Sequence, residues 1–165
     1  MATHDDLDAI TALASEAVAE LSVLRGGAVW RQQDGRREPI AAGIRTDLDR
    51  SEADGRTVVA TIDDVIVGYG VTTLTALADD SVLAVITDLY VHPDGRGIGL
   101  GEAMMDLLIA HATEAGAVGI DSLALPGDRA TKNFFETFGL KARAIVVHRS
   151  LVPESDPLAQ GGTGG

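Results

Sequence analysis

The residues Arg96-Gly97-Ile98-Gly99-Leu100-Gly101 stand between an apolar, β-branched run and a segment of helical periodicity. Glycines there let the main chain approach a ligand closely, and the first free N–H groups of a helix, with its dipole, make an anion site. A phosphate-bearing ligand fits such a turn; the packing alternative is a tight strand-to-helix connection with no ligand. Spacing removes two phosphate-binding patterns. A G-x-G-x-x-G dinucleotide fingerprint would need glycine where Glu102 or Leu100 stands, and Gly-Lys-Ser or Gly-Lys-Thr, the end of a P-loop, occurs nowhere.

The elements that must hold this turn follow from periodicity. Val82 to Val91 is apolar on both sides except for Thr87 and Asp88, which predicts a buried central strand closed by Pro93. From Leu100, the positions Leu100, Met104, Leu107, Leu108 and His111 form one face of a core-facing helix. Upstream, the runs Val58 to Ile62 and Val65 to Val71 flank Asp63-Asp64 and predict a tight hairpin, its second strand reaching about Leu77. Residues Thr3 to Leu24 read as an amphipathic helix stopped by Gly26-Gly27, with Thr3 and Asp6 spaced as a capping box. The charged stretch from Trp30 to Gly55 supports at most one short helix around Ile40 to Leu48. Gly116 to Leu125 predicts a further strand. Asp128 is placed to N-cap a helix carrying Phe134, Phe135 and Phe138, with Gly139 as its stop. Ala142 to Leu151 predicts a last strand, and the Pro- and Gly-rich tail 152–165 is expected to remain disordered.

A length of 165 residues suits one domain, here 1–151, able to bury roughly 70% of its unfolded surface. No apolar run approaches the ~20 residues of a membrane span. The acidic opening Met1-Ala2-Thr3-His4-Asp5-Asp6 lacks the basic and apolar regions of a secretory signal, so a cytoplasmic location is expected. The net charge of −12, with lysines only at 132 and 141, argues against nucleic acid or anionic membrane as partner. The chain has no cysteine, which removes thiolate catalysis, and no His/Asp spacing suggests a metal. His111, on the apolar helix face, reads as a core histidine.

The turn also fits Arg/Gln-x-x-Gly-x-Gly/Ala through Arg96, Gly99 and Gly101, preceded by Leu89-Tyr90-Val91-His92-Pro93. A second block, Asp128-Arg-Ala-Thr-Lys-Asn-Phe-Phe-Glu-Thr-Phe-Gly-Leu140, fits Asn-x-x-Ala-x-x-Phe-Tyr-x-x-x-Gly-Phe except at Asp128, Thr131, Phe135 and Leu140. Together, over roughly residues 56 to 151, these blocks resemble the GCN5-related N-acetyltransferase (GNAT) family. The resemblance implies an α+β or α/β single domain, with a mixed, mostly antiparallel twisted sheet flanked by helices. It also implies transfer of an acetyl group from acetyl-coenzyme A to an amine of a small acceptor by direct attack, without a metal. Homodimers are common among such proteins.

Carried over position by position, the backbone of Leu89 and Val91 would hold the pantetheine arm, and Val91 N–H would polarise the thioester carbonyl. The N–H groups of Gly97, Ile98, Gly99, Leu100 and Gly101 would hold the pyrophosphate, with charge added by Arg96. Asp128 and Phe135 would lie near the coenzyme. Asp88 is the candidate base, although relatives carry a Glu-Asp pair where this chain has Thr87-Asp88, and an ordinary Asp pKa of ~3.9 suits a base poorly unless burial raises it. His92 is a weaker candidate base. The usual proton donor is a Tyr where this chain has Phe135, which cannot donate, and Tyr90 is the alternative. The missing groups leave a second reading open, an acyl-coenzyme A-binding or regulatory module of the same fold with impaired catalysis.

Overall fold

The computed structural model describes residues 1–151. These form two compact units, each discontinuous in sequence: one from Met1–Ala17 and Arg36–Leu123, the other from Val18–Gly35 and the chain from Ala124 onward.

The first unit is built on a four-stranded sheet of order β1-β2-β3-β4, with β1 Gly55–Ile62, β2 Val65–Ala76, β3 Val82–Val91 and β4 Gly119–Ser122. The β1–β2 and β2–β3 pairs are antiparallel and β3–β4 is parallel, so the sheet is mixed and mostly antiparallel, as anticipated. Asp63 and Asp64 turn the first hairpin with φ of 48° and 64°, left-handed values that short acidic side chains tolerate. Helix α4, Leu100–Glu114, packs on β1, β2 and β3 through Met104, Met105, Leu108 and Ala112. Small residues on β2 admit it. A Cβ on Gly70 would lie 3.1 Å from Leu108 Cδ1 and 3.2 Å from Leu89 Cδ1, and one on Gly68 would lie 3.1 Å from Met104 Cε. Helix α3, Ile40–Leu48, buries Ile40 and Ile44 and packs on β1. Helix α1, Leu7–Ser22, buries Ile10, Leu13, Ala14 and Ala17, and Asp6 accepts the N–H of Thr3 at 2.7 Å ahead of it.

The second unit contains α2, Gly27–Gln33, and α5, Arg129–Thr137. Asp128 Oδ1 caps α5 by accepting Thr131 N–H at 2.9 Å, and Gly139 ends it at φ +81°.

Three expectations are corrected. A helix, α2, begins at Gly27, where Gly26-Gly27 was read only as a stop; Gly26, at φ +86°, supplies its N-cap instead. The strand expected over Gly116 to Leu125 shrinks to four residues because its ladder with β3 runs only from Leu83↔Gly119 to Ile86↔Ser122. No strand forms over Ala142 to Leu151, where Ile145, Val146, Val147 and Leu151 are 85%, 92%, 88% and 88% exposed. Alternating apolar residues supply β propensity, but strand stability comes from a partner, and this run has no ladder. The tail expectation for 152–165 lies outside the described residues.

Candidate functional site

The end of β3 is organised by a bulge. Val71 pairs with Asp88 and Thr72 with Ile86, so Thr87 is an extra residue without a partner on β2. The parallel ladder to β4 also stops at Ile86. Beyond that point β3 has β2 on one side and, among the described residues, no strand on the other. His92 N–H donates to Val67 O at 2.8 Å, toward β2. Hydrogen-bonding direction alternates along an antiparallel strand, so Tyr90 also faces β2 while the N–H groups of Leu89 and Val91 face the open side. The Val91 carbonyl confirms this direction, since it accepts from Arg96 Nε at 2.8 Å from beyond the strand end.

This open edge leads into a single 3₁₀ turn, Pro93–Gly95, and then into the glycine segment. Gly97 and Gly99 have φ of +79° and +89°, left-handed conformations that side chains with a Cβ adopt at a cost. Nothing lies within 4 Å of where a Cβ would sit on either, so the turn is open to a ligand. Gly99 caps α4 with its carbonyl, which accepts Ala103 N–H at 3.0 Å. The N–H groups of Leu100, Gly101 and Glu102 therefore start the helix without intrahelical partners, at the positive end of its dipole. Ile98 is 64% exposed. The Arg96 guanidinium lies over the Tyr90 ring, 5.4 Å from its centroid.

Asp88 sits in a network that sequence reasoning missed. Arg36 Nε donates to Asp88 Oδ1 and Arg36 Nη2 to Oδ2, both at 2.7 Å, while Tyr69 OH donates to Oδ1 at 2.8 Å. Arg36 Nη2 also reaches Asp47 Oδ2 at 2.7 Å, and Arg50 closes on Asp47 Oδ1 through Nη2 at 2.9 Å. The side chains of Arg36, Asp47 and Asp88 are only 14%, 8% and 13% exposed. Burial opposes the charge on Arg36, but the Asp88 carboxylate and its hydrogen bond, with Tyr69 and Asp47, outweigh it and raise the guanidinium pKa above its ordinary value. Burial and the adjacent Asp88 charge push the Tyr69 hydroxyl well above the usual phenol range. Arg36 falls in the non-periodic stretch 30–55, so no sequence signal marked it. Two arginines balance two aspartates here, and both Asp88 oxygens already accept hydrogen bonds.

His92 and His111 are also engaged. His92 Nδ1 accepts Asp94 N–H at 3.2 Å. His111 is 2% exposed; its Nε2 lies 2.9 Å from the Glu52 carbonyl and its Nδ1 3.2 Å from Thr72 Oγ1, a satisfied core histidine as the helix pattern implied. In the second unit, Asp128 is occupied as the α5 cap, and Phe135 is 7% exposed with its ring edge-on to Phe134 at 5.7 Å. Among the described residues no group of three or more His, Asp or Glu is arranged to hold a metal ion, and no helix is long and apolar enough to cross a membrane.

Solved structures share this fold. The BH1408 protein from Bacillus halodurans, as a tetramutant, superimposes with a TM-score of 0.74 at 17% identity, covering 91% of this chain and 97% of that one. The aminoglycoside N-acetyltransferase AAC(6')-Iy, in complex with the bisubstrate analogue CoA-S-monomethyl-acetylneamine, gives 0.67 at 13% identity, over 90% and 93%. The ribosomal-protein-alanine N-acetyltransferase from Brucella melitensis biovar Abortus 2308 gives 0.64 at 18% identity, over 90% and 96%. No curated protein sequence matches significantly. The sequence model of the acetyltransferase (GNAT) family matches residues 18–140, which include the bulged strand, the open edge and the glycine turn, and the chain belongs to that family.

Proposed function

We propose that the chain, with residues 1–151 acting as one catalytic domain, transfers an acetyl group from acetyl-coenzyme A to the nitrogen of a small amine. The observation that carries this reading is the continuity of the open β3 edge with the glycine turn at the start of α4. The N–H groups of Leu89 and Val91 would take the amide groups of the pantetheine arm, Val91 N–H facing the developing oxyanion. The N–H groups from Gly97 to Gly101 would take the pyrophosphate, Arg96 adding positive charge. The open space at Gly97 and Gly99 suits close approach of such a ligand. Asp128 and Phe135 belong to this proposal on the family pattern alone. Neighbours named as N-acetyltransferases, one crystallised with coenzyme A, support the choice of donor and of nitrogen as acceptor.

Asp88 was the candidate base, but its oxygens are held by Arg36 and Tyr69. The proposed role for Asp88 is therefore to fix Arg36 and the β3 bulge, with the amine proton leaving to water. Tyr90 remains the proposed donor to the leaving sulfur. The net charge of −12 favours a neutral or cationic acceptor over nucleic acid.

Acetyl-coenzyme A at ~100 times its Kd raises stability by ~2.7 kcal/mol, read as a higher Tm. No shift at millimolar ligand overturns the proposal. Thiol release over a panel of amines then tests turnover. The occupied oxygens of Asp88 and the missing hydroxyl at Phe135 favour one second reading, a coenzyme-binding module with impaired catalysis, which predicts the Tm shift without thiol release.

A further inference from the structure

An imidazole braces the turn that precedes the glycine segment. His92 follows the last residue of β3: its main-chain N–H is held by Val67 O at 2.8 Å, and its carbonyl accepts Gly95 N–H at 2.9 Å. Between these anchors the ring folds forward over the 3₁₀ turn, and Nδ1 accepts Asp94 N–H at 3.2 Å. A main-chain N–H only donates, so Nδ1 carries the lone pair and the ring proton resides on Nε2. Glu16 Oε2, contributed by α1, lies 3.7 Å from that nitrogen, beyond hydrogen-bond distance. Asp94 Oδ2 lies 3.7 Å from Nδ1 on the other side.

The geometry points to His92 as a positioning residue for the coenzyme turn, with its Nδ1 lone pair spent on Asp94 N–H. This assignment rests on the proposed reading of Gly97 to Gly101 as the pyrophosphate site. It gives His92 a role other than that of base, because the only acceptor nitrogen of the ring is already used. The ring caps Asp94 N–H, and the capped turn sets the direction in which Arg96 follows it to reach Val91 O at 2.8 Å. Gly97 and Gly99 carry no side chain to fix the turn, so its direction depends on what precedes it.

Three variants separate capping from bulk and from base chemistry. In His92→Asn the amide oxygen stands near the place of Nδ1 and retains an acceptor for Asp94 N–H. In His92→Gln the oxygen reaches the place of Nε2, and in His92→Ala there is none. Calorimetric titration with coenzyme A is expected to give His92→Asn a Kd within a few-fold of wild type and the other two about tenfold weaker, the size of one hydrogen bond. Equal Kd values for all four proteins, or His92→Asn as weak as His92→Ala, overturn the assignment. A second readout needs no ligand: ¹⁵N NMR of the imidazoles is expected to show His92 as the Nε2–H form, and a protonated Nδ1 in the neutral ring overturns it. If wild type fails to bind coenzyme A, the proposed function falls. The NMR spectrum still decides whether His92 caps the turn.

Discussion

Arg36 and Asp88 meet through two parallel hydrogen bonds of 2.7 Å, Nε to Oδ1 and Nη2 to Oδ2, across 52 residues of sequence. The fork geometry of guanidinium matches a carboxylate in this way and an ammonium does not. Through the second contact of Nη2 to Asp47, the pair ties the segment before α3 to α3 itself and to the bulged strand.

Removing Arg36 leaves two buried carboxylates without their shared partner. Arg36→Ala is expected to cost about 3 kcal/mol or more, and Arg36→Lys to recover only part of it. Urea denaturation measures both. A cost below about 1 kcal/mol means that the network is solvated and does not hold the segment.

Tyr69 donates to Asp88 at 2.8 Å and is 1% exposed. Tyr69→Phe is expected to cost about 1–2 kcal/mol by leaving Asp88 one donor short. The pH dependence follows from the raised pKa of the hydroxyl. Its contribution is fully present below the unfolded value of ~10 and is lost as pH rises from there toward the folded value. Wild-type stability should therefore decline above about pH 10 more steeply than that of Tyr69→Phe. Parallel curves reject the coupling.

Gly99 needs no space, since nothing lies within 4 Å of its missing Cβ, but it needs φ of +89°. Gly99→Val is expected to cost about 1–2 kcal/mol from backbone strain alone. It should also diminish the Tm rise produced by coenzyme A. An unchanged ligand-induced shift would place the pyrophosphate elsewhere.

If Tyr90 donates the proton to the leaving sulfur, Tyr90→Phe lowers kcat by about 10²-fold while KM for acetyl-coenzyme A stays within a few-fold. Unchanged kcat in that variant assigns the proton to water. Phe135→Tyr tests the family's usual position: a gain in kcat would show that the missing hydroxyl limits this chain.

Asp88 shows most plainly how far sequence reaches. Its place on a central strand beside a glycine turn was legible, because Val82 to Val91 is an apolar run broken only at Thr87 and Asp88. Its partners were not. Arg36 lies in a stretch without periodicity, and no local rule pairs an arginine with an aspartate 52 residues on. The bulge at Thr87 was equally hidden, because a bulge is a mismatch of two strands and neither strand shows it alone.

Local and periodic features were therefore settled by the sequence itself: the hairpin at Asp63-Asp64, the buried positions Met104, Leu108 and His111 of α4, though not Leu107, which is 48% exposed, the cap at Asp128, and the two blocks that identify the family. Those depend on backbone propensity and side-chain spacing over a few residues. Tertiary structure alone decided which edge of β3 stays open, that Asp88 is bound by Arg36 and Tyr69, that His92 turns its lone pair toward Asp94, and that Ala142 to Leu151 finds no ladder. Each of these is a choice of partner, and a partner is specified only when distant segments are brought within hydrogen-bonding distance.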